Sequence, residues 1–149
     1  MEPDPHEIRA LAHRIGEQGA AARADAHELV RRSHEVGWTG LAGAGMVAQT
    51  QLQARLLDEI AVRHETAARA LEAHAAAVEE TLAVIAAVEA RVRAAADAAR
   101  GRLSRFLHGI VDAVDPGDEV LAHFTPPPPG SPQWLELRLP GVGLPERSR

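Results

Sequence analysis

Apolar residues recur every seven positions along the start of the chain, with Ile8, Ile15, Ala22, Leu29 and Val36 in one row. Four positions after each of the first four come Ala12, Gly19, Ala26 and Ser33, all of them small. A seven-residue repeat predicts helices that wind around one another, and a row of small residues lets a second helix approach closely. Asp4 followed by Pro5 predicts where the first helix starts, because an aspartate caps free amide groups and proline suits the first helical position. Glu7 in the first turn adds a favourable charge at the positive helix end. The helix should stop near Val36, with Gly37 placed for a left-handed cap.

A second, much longer helix is predicted from about Leu41 to Val114. Its main row is Leu57, His64, Leu71, Val78, Ile85, Val92, Ala99 and Phe106, again spaced by seven. A companion row holds Ile60, Ala67, His74, Thr81, Val88 and Ala95. The pairs Glu59–Arg63, Glu65–Arg69 and Glu89–Arg93 have the acidic-first, one-turn spacing that supports an exposed helical face. Gly101 is the expected weak point, and Asp115-Pro116-Gly117 is expected to close the helical region. The expected packing seam comprises Ile8, Ile15, Leu29, Leu57, Leu71, Val78, Ile85, Val92 and Phe106. At 1.5 Å rise per residue the two helices would span roughly 48 and roughly 110 Å. A simple pairing therefore leaves the far half of the second helix bare. Either that helix folds back, or a second chain covers the stripe.

Beyond Asp115 the pattern changes. Pro126 to Pro129 favours the polyproline II form, and Trp134-Leu135-Glu136-Leu137-Arg138-Leu139 alternates as a short strand would. No partner strand exists for it in the sequence. The expected organisation is an N-terminal extension (1–4), a helical domain (5–115) and a mostly disordered, proline-rich tail (116–149). The fold class is all-α, an antiparallel helical hairpin with a long second helix.

Composition narrows the function. The aromatic share is only 3%, so close helix–helix contact must replace bulky core side chains. No cysteine is present, which removes disulfides and thiolate metal sites. All basic side chains are arginine, and lysine, asparagine and tyrosine are absent; this codon bias points to a GC-rich genome of the actinobacterial kind. A net charge of −5 argues against general nucleic-acid binding, which needs a basic footprint. No run approaches the ~20 apolar residues of a membrane span. Met1-Glu2-Pro3-Asp4-Pro5 is unlike a secretory signal peptide, so any export is expected to use a signal-peptide-independent route.

Between the two helices stands Trp38-Thr39-Gly40, inside Val36-Gly37-Trp38-Thr39-Gly40-Leu41-Ala42. Over roughly residues 5–90 the chain resembles the WXG family, the small helical-hairpin substrates of type VII secretion. The resemblance implies a hairpin that reverses at the tryptophan motif and pairs with itself or with another WXG-like chain in a four-helix arrangement. It also implies passage through type VII export machinery, from the cytoplasm to the cell surface or beyond. The physics of the motif stands independently. A tryptophan at a hairpin end covers the last helical turn by burying ~150–250 Å², and a glycine two positions later frees the backbone to reverse. Trp38 either plugs the hairpin end or presents an edge for recognition. Family members often carry a Tyr-x-x-x-Asp/Glu export signal on the second helix. This sequence has no tyrosine, and it runs about 50 residues further. The nearest equivalent is His108-x-x-x-Asp112, which reads either as that signal or as a solvated pair one turn apart.

Other chemistry is sparse. His6, His13, His27 and His34 share one row of the first helix, but neighbours ~10 Å apart do not share a metal ion, so no metal site and no cofactor is expected. His64 and His74 fall on the seam rows, which raises two options: satisfied histidines at the seam edge, or a packing that loosens in acid. Arg91, Arg93, Arg100, Arg102 and Arg105 form a basic run that reads as a solvated helix end or as a steering patch for an acidic partner. There is no nucleophile–base–acid set and no lysine to complete a phosphate loop, so an enzyme is not expected. The leading expectation is a type VII secretion-associated interaction protein, substrate or partner. The alternative is an amphipathic surface-coating or scaffolding helical protein, resembling phasins or coiled coils.

Overall fold

A computed structural model describes residues 4–110 and 113–143. Among them the chain is all-helical, with α1 (Pro5–Glu35), α2 (Gly40–Leu107), α3 (Pro116–Ala122) and one 3-10 turn (Pro132–Leu135). It divides into two compact units, Met1–Val78 and Glu79–Arg149, and α2 contributes to both.

α1 begins as its sequence predicts. The Asp4 carboxylate accepts from the His6 amide at 2.8 Å, and Pro5 occupies the first turn. It ends at Gly37, whose φ of 60° lies in the left-handed region that glycine enters without a steric penalty. α2 departs from expectation at its end. It runs unbroken through Gly101 and stops at Leu107 rather than near Val114. The terminator is Gly109, with φ 71°. The Ile110 amide donates to the Arg105 carbonyl and the Gly109 amide to the Phe106 carbonyl, both at 2.9 Å. That pair of bonds satisfies carbonyls that the helix end would otherwise leave open.

Within the first unit, α1 and the start of α2 run antiparallel. Gly16 faces Ala68, Gly19 faces Ala61 and His64, and Arg23 reaches Glu65 at 2.6 Å and Asp58 at 4.0 Å. The centre of this contact is not the predicted apolar row. The buried positions of α1 are Pro5, Ala12, Gly19, Ala26 and Ser33, and they are matched on α2 by Ala54, Ala61 and Ala75. Ile8, Ile15, Leu29, Leu57, Leu71 and Val78 are only half-buried and flank that centre. Small side chains let the backbones come so close that larger residues fit only beside the line of contact. A Cβ added to Gly19 would meet the His64 Cβ at 3.0 Å and the Ala61 carbonyl oxygen at 3.2 Å.

Two expectations about polar residues change as a result. His64 is half-buried, with its Nδ1 2.9 Å from the Ile60 carbonyl oxygen, whereas His74 is exposed. The two histidines therefore do not form a buried pair in the seam. Glu65 serves Arg23 across the helices, and Arg69 turns to backbone and Thr66 oxygens instead. His6, His13, His27 and His34 are exposed.

The second unit holds the largest correction. Residues 113–143 are not a disordered tail, and Trp134–Leu139 is not a strand. Asp115 caps α3 by accepting from the Gly117 amide at 2.7 Å. Ser131 caps the 3-10 turn in the same way. That turn sets Trp134, 0% exposed, into a core with Ile85, Val88 and Val92. Phe124, Leu135, Leu137, Leu139 and Val142 pack around it. The indole N–H donates to the Pro128 carbonyl at 2.8 Å, so the buried ring leaves no polar atom unpaired. The apolar stripe of Ile85, Val88 and Val92 is covered by this segment, and their burial contributes to the arrangement together with that of Trp134 and the residues packed around it.

Three members of the basic run hold that segment. Arg102 makes a two-pronged pair with Asp118 at 2.6 and 2.7 Å. Arg100 and Arg91 each donate to a carbonyl, of Ala122 and Gly143, at 3.3 Å. Neither a solvated helix end nor a free steering patch describes them. Hydrogen bonding from Arg102 holds the Asp118 carboxyl below the usual carboxylate range, against the opposing effect of burial. A carboxylate with a depressed folded pKa contributes stability that is present above its unfolded value and is lost as pH falls through the folded value. The second unit should accordingly lose stability below ~pH 4. Asp118→Asn should flatten that dependence in a pH series of thermal melts, and an unchanged series would contradict the assignment.

Candidate interaction surface

The first unit carries an apolar surface that nothing in the described chain covers. From Val36 to Ala54 the sequence holds no charged residue and no histidine. Along this stretch Val36, Met46 and Leu52 are exposed, and Leu41 is 95% exposed. Leu56, Ile60 and Val62 continue the exposure further along α2. Met46, Leu56 and Ile60, with the uncharged Gln49 and Gln53 between the first two, are spaced by three and four, so they share one face of the helix. That face is distinct from the line of Thr50, Ala54 and Ala61, which is buried.

Trp38 stands at the start of this surface, in the connection between α1 and α2. Gly43 is buried under it: a Cβ there would come within 2.8 Å of the Trp38 carbonyl carbon and 3.1 Å of its Cβ. Gly40 has φ 75°, a value that side chains rarely adopt, so the residue two after the tryptophan must be glycine or strained. Thr39 is exposed, and Trp38 keeps 37% of its surface in water. Gly43 thus lets the Trp38 backbone sit close against the start of α2.

The remaining predicted positions separate. Ile85 and Val92 are buried beneath the C-terminal segment, whereas Phe106 is 41% exposed near the end of α2. His108 lies past that end, its Nδ1 2.7 Å from the Ser104 carbonyl oxygen. Asp112 lies outside the described residues. Gly109, next to His108, has φ 71° and is no longer helical.

The surface offers apolar side chains and two uncharged amides on a rigid helix, and little else. Among the described residues no group of three or more histidine, aspartate or glutamate side chains is placed to hold a metal ion. No described helix is long and apolar enough to cross a membrane. Seven-residue periodicity puts Ile60 in the companion row of the second helix and does not single out Met46 or Leu56. The uncharged run from Val36 to Ala54 was the available signal. No protein-family model, curated protein or solved structure matches this chain.

Proposed function

We propose that this chain is a helix–helix interaction protein of type VII secretion, similar to WXG proteins and acting as an exported substrate or as a binding partner of one. Its first unit is read as a helical hairpin with a Trp-x-Gly turn. The observation that carries the reading is the exposed apolar row of Met46, Leu56 and Ile60, lying on the same helix that Trp38 and Gly40 introduce. A second hairpin laid on this row completes a four-helix arrangement, either with a second copy or with another WXG-like chain. Function is then recognition: the paired chains are what the export machinery reads, before release at or beyond the cell surface.

Light scattering on the purified protein, alone and with a WXG-type chain encoded beside it, tests the reading. The expected result is a defined dimer or a one-to-one complex. The double variant Leu56→Asp/Ile60→Asp should weaken it by ~100-fold or more, since two central apolar contacts are lost. A wild-type monomer indifferent to the neighbour would end the proposal.

The extreme exposure of Leu41 within an uncharged stretch favours one other reading, a surface-coating helical protein. It predicts that the protein floats with phosphatidylcholine vesicles and that Leu41→Asp abolishes flotation. Under the secretion reading, vesicles leave the protein in the soluble fraction.

A further inference from the structure

Between Phe124 and Trp134 the second unit carries an extended ridge that its core does not absorb. A proline fixes its own φ near −65° and confines the residue before it to extended geometry. Pro126 to Pro129 therefore hold one another in the polyproline II form, and every prolyl bond among the described residues is trans. The far end is fixed. Gly130 has φ 76°, and the Ser131 amide donates to the Pro128 carbonyl at 3.2 Å, closing a tight turn on Pro129 and Gly130. The Trp134 indole donates to the same carbonyl, and Phe124 packs on that indole at the near end. Exposure follows the three-residue repeat of this helix. Pro126 and Pro129 form one exposed edge, Thr125 and Pro128 a second, and Pro127 on the third is half-buried.

We propose that this ridge docks a partner protein whose groove is lined by tryptophan and tyrosine side chains. Two observations select that chemistry. First, the ridge has acceptors and no donors. Prolines carry no amide hydrogen, and among the described residues no donor reaches the carbonyls of Thr125, Pro126 and Pro127. An indole N–H or a phenol O–H supplies what is missing, and flat rings fit against the exposed proline rings. Second, Pro126 borders an open depression of about 230 Å³, lined also by Val92, Ala96, Phe124, Arg93 and Arg100. Both arginines are already paired, with Glu89 and Asp97. The depression thus offers guanidinium planes and apolar surface rather than net charge, surroundings that suit an aromatic side chain. A spacer between α3 and the 3-10 turn would account for the prolines, but it would use neither the depression nor the unclaimed carbonyls. Folding has already fixed the ridge, so docking orders little more of the chain.

Two proline-binding domains of different fold, a WW domain and an SH3 domain, serve as probes of the full-length protein by isothermal titration. At least one should bind with a Kd below ~1 mM. Pro126→Ser/Pro129→Ser should weaken that binding by about tenfold or more. Unchanged emission from the buried Trp134 shows that the variant unit still folds. Pro126→Ser alone, which keeps the turn at Pro129 and Gly130, repeats the comparison if that emission moves. Binding of neither probe, or equal binding by the wild type and a folded variant, overturns the inference. The Met46–Ile60 row plays no part in it. Leu56→Asp/Ile60→Asp should therefore bind the probe as the wild type does, which separates the fate of the ridge from that of the proposed function.

Discussion

Trp134→Ala should collapse the packing of the second unit and leave the first unaltered. The ring is the largest fully buried side chain, and it carries the hydrogen bond to Pro128 and the edge-on contact with Phe124 at 6.5 Å. Removing an aromatic of this size from a core costs ~3–5 kcal/mol. A short segment ordered by little besides this ring, three arginine contacts and a few leucines has no reserve of that size. Hydrogen exchange resolved by peptide should show amides of 116–123 and 132–136 losing protection, while those of α1 and of residues 50–75 keep theirs. Full retention of protection in 132–136 would mean that the ring is dispensable.

Gly19→Leu should be the most damaging single change in the first unit. The contact line is built from small residues, and the 3.0 and 3.2 Å approaches to His64 and Ala61 leave no room for a branched side chain. Overpacking of this kind costs ~1–3 kcal/mol where neighbours can shift. Here one neighbour is backbone of a helix held along its length, which places the expected loss at the upper end. Gly19→Ala is an informative companion. It gains up to ~1 kcal/mol of helix propensity against a contact tighter than usual, so its net effect should be small. Urea denaturation of the two variants settles the point: equal stabilities would show that the helices are not in close contact at Gly19.

How much of this was legible depended on which physical signal a residue gives. The limits of α1 were plain because Asp4-Pro5 and Gly37 carry local conformational rules. The small row of Ala12, Gly19, Ala26 and Ser33 was also visible, but its rank was not. Periodicity weights large apolar residues, whereas helices in close approach place small ones at the centre and large ones beside it. In the C-terminal part the signals were present and misread. Asp115-Pro116 repeats the cap-and-proline pair that opens α1, although Pro116-Gly117 also fits the end of a helix. Ser131-Pro132 repeats it once more before the 3-10 turn. The alternation through Trp134–Leu139 suggested a strand because a single sequence cannot reveal that a bare stripe of α2 lies waiting for those side chains. The exposed row of the candidate surface was obscured by the same dominance of the strongest period. It was legible only as a long absence of charge.

The two tryptophans fall one to each unit, Trp38 at 37% exposure and Trp134 at 0%. With no tyrosine in the chain, its near-ultraviolet emission is the sum of one wet indole and one dry one. Acrylamide will reach the first and not the second, so each half of the molecule has its own optical label, and unfolding of either can be timed without modifying the protein.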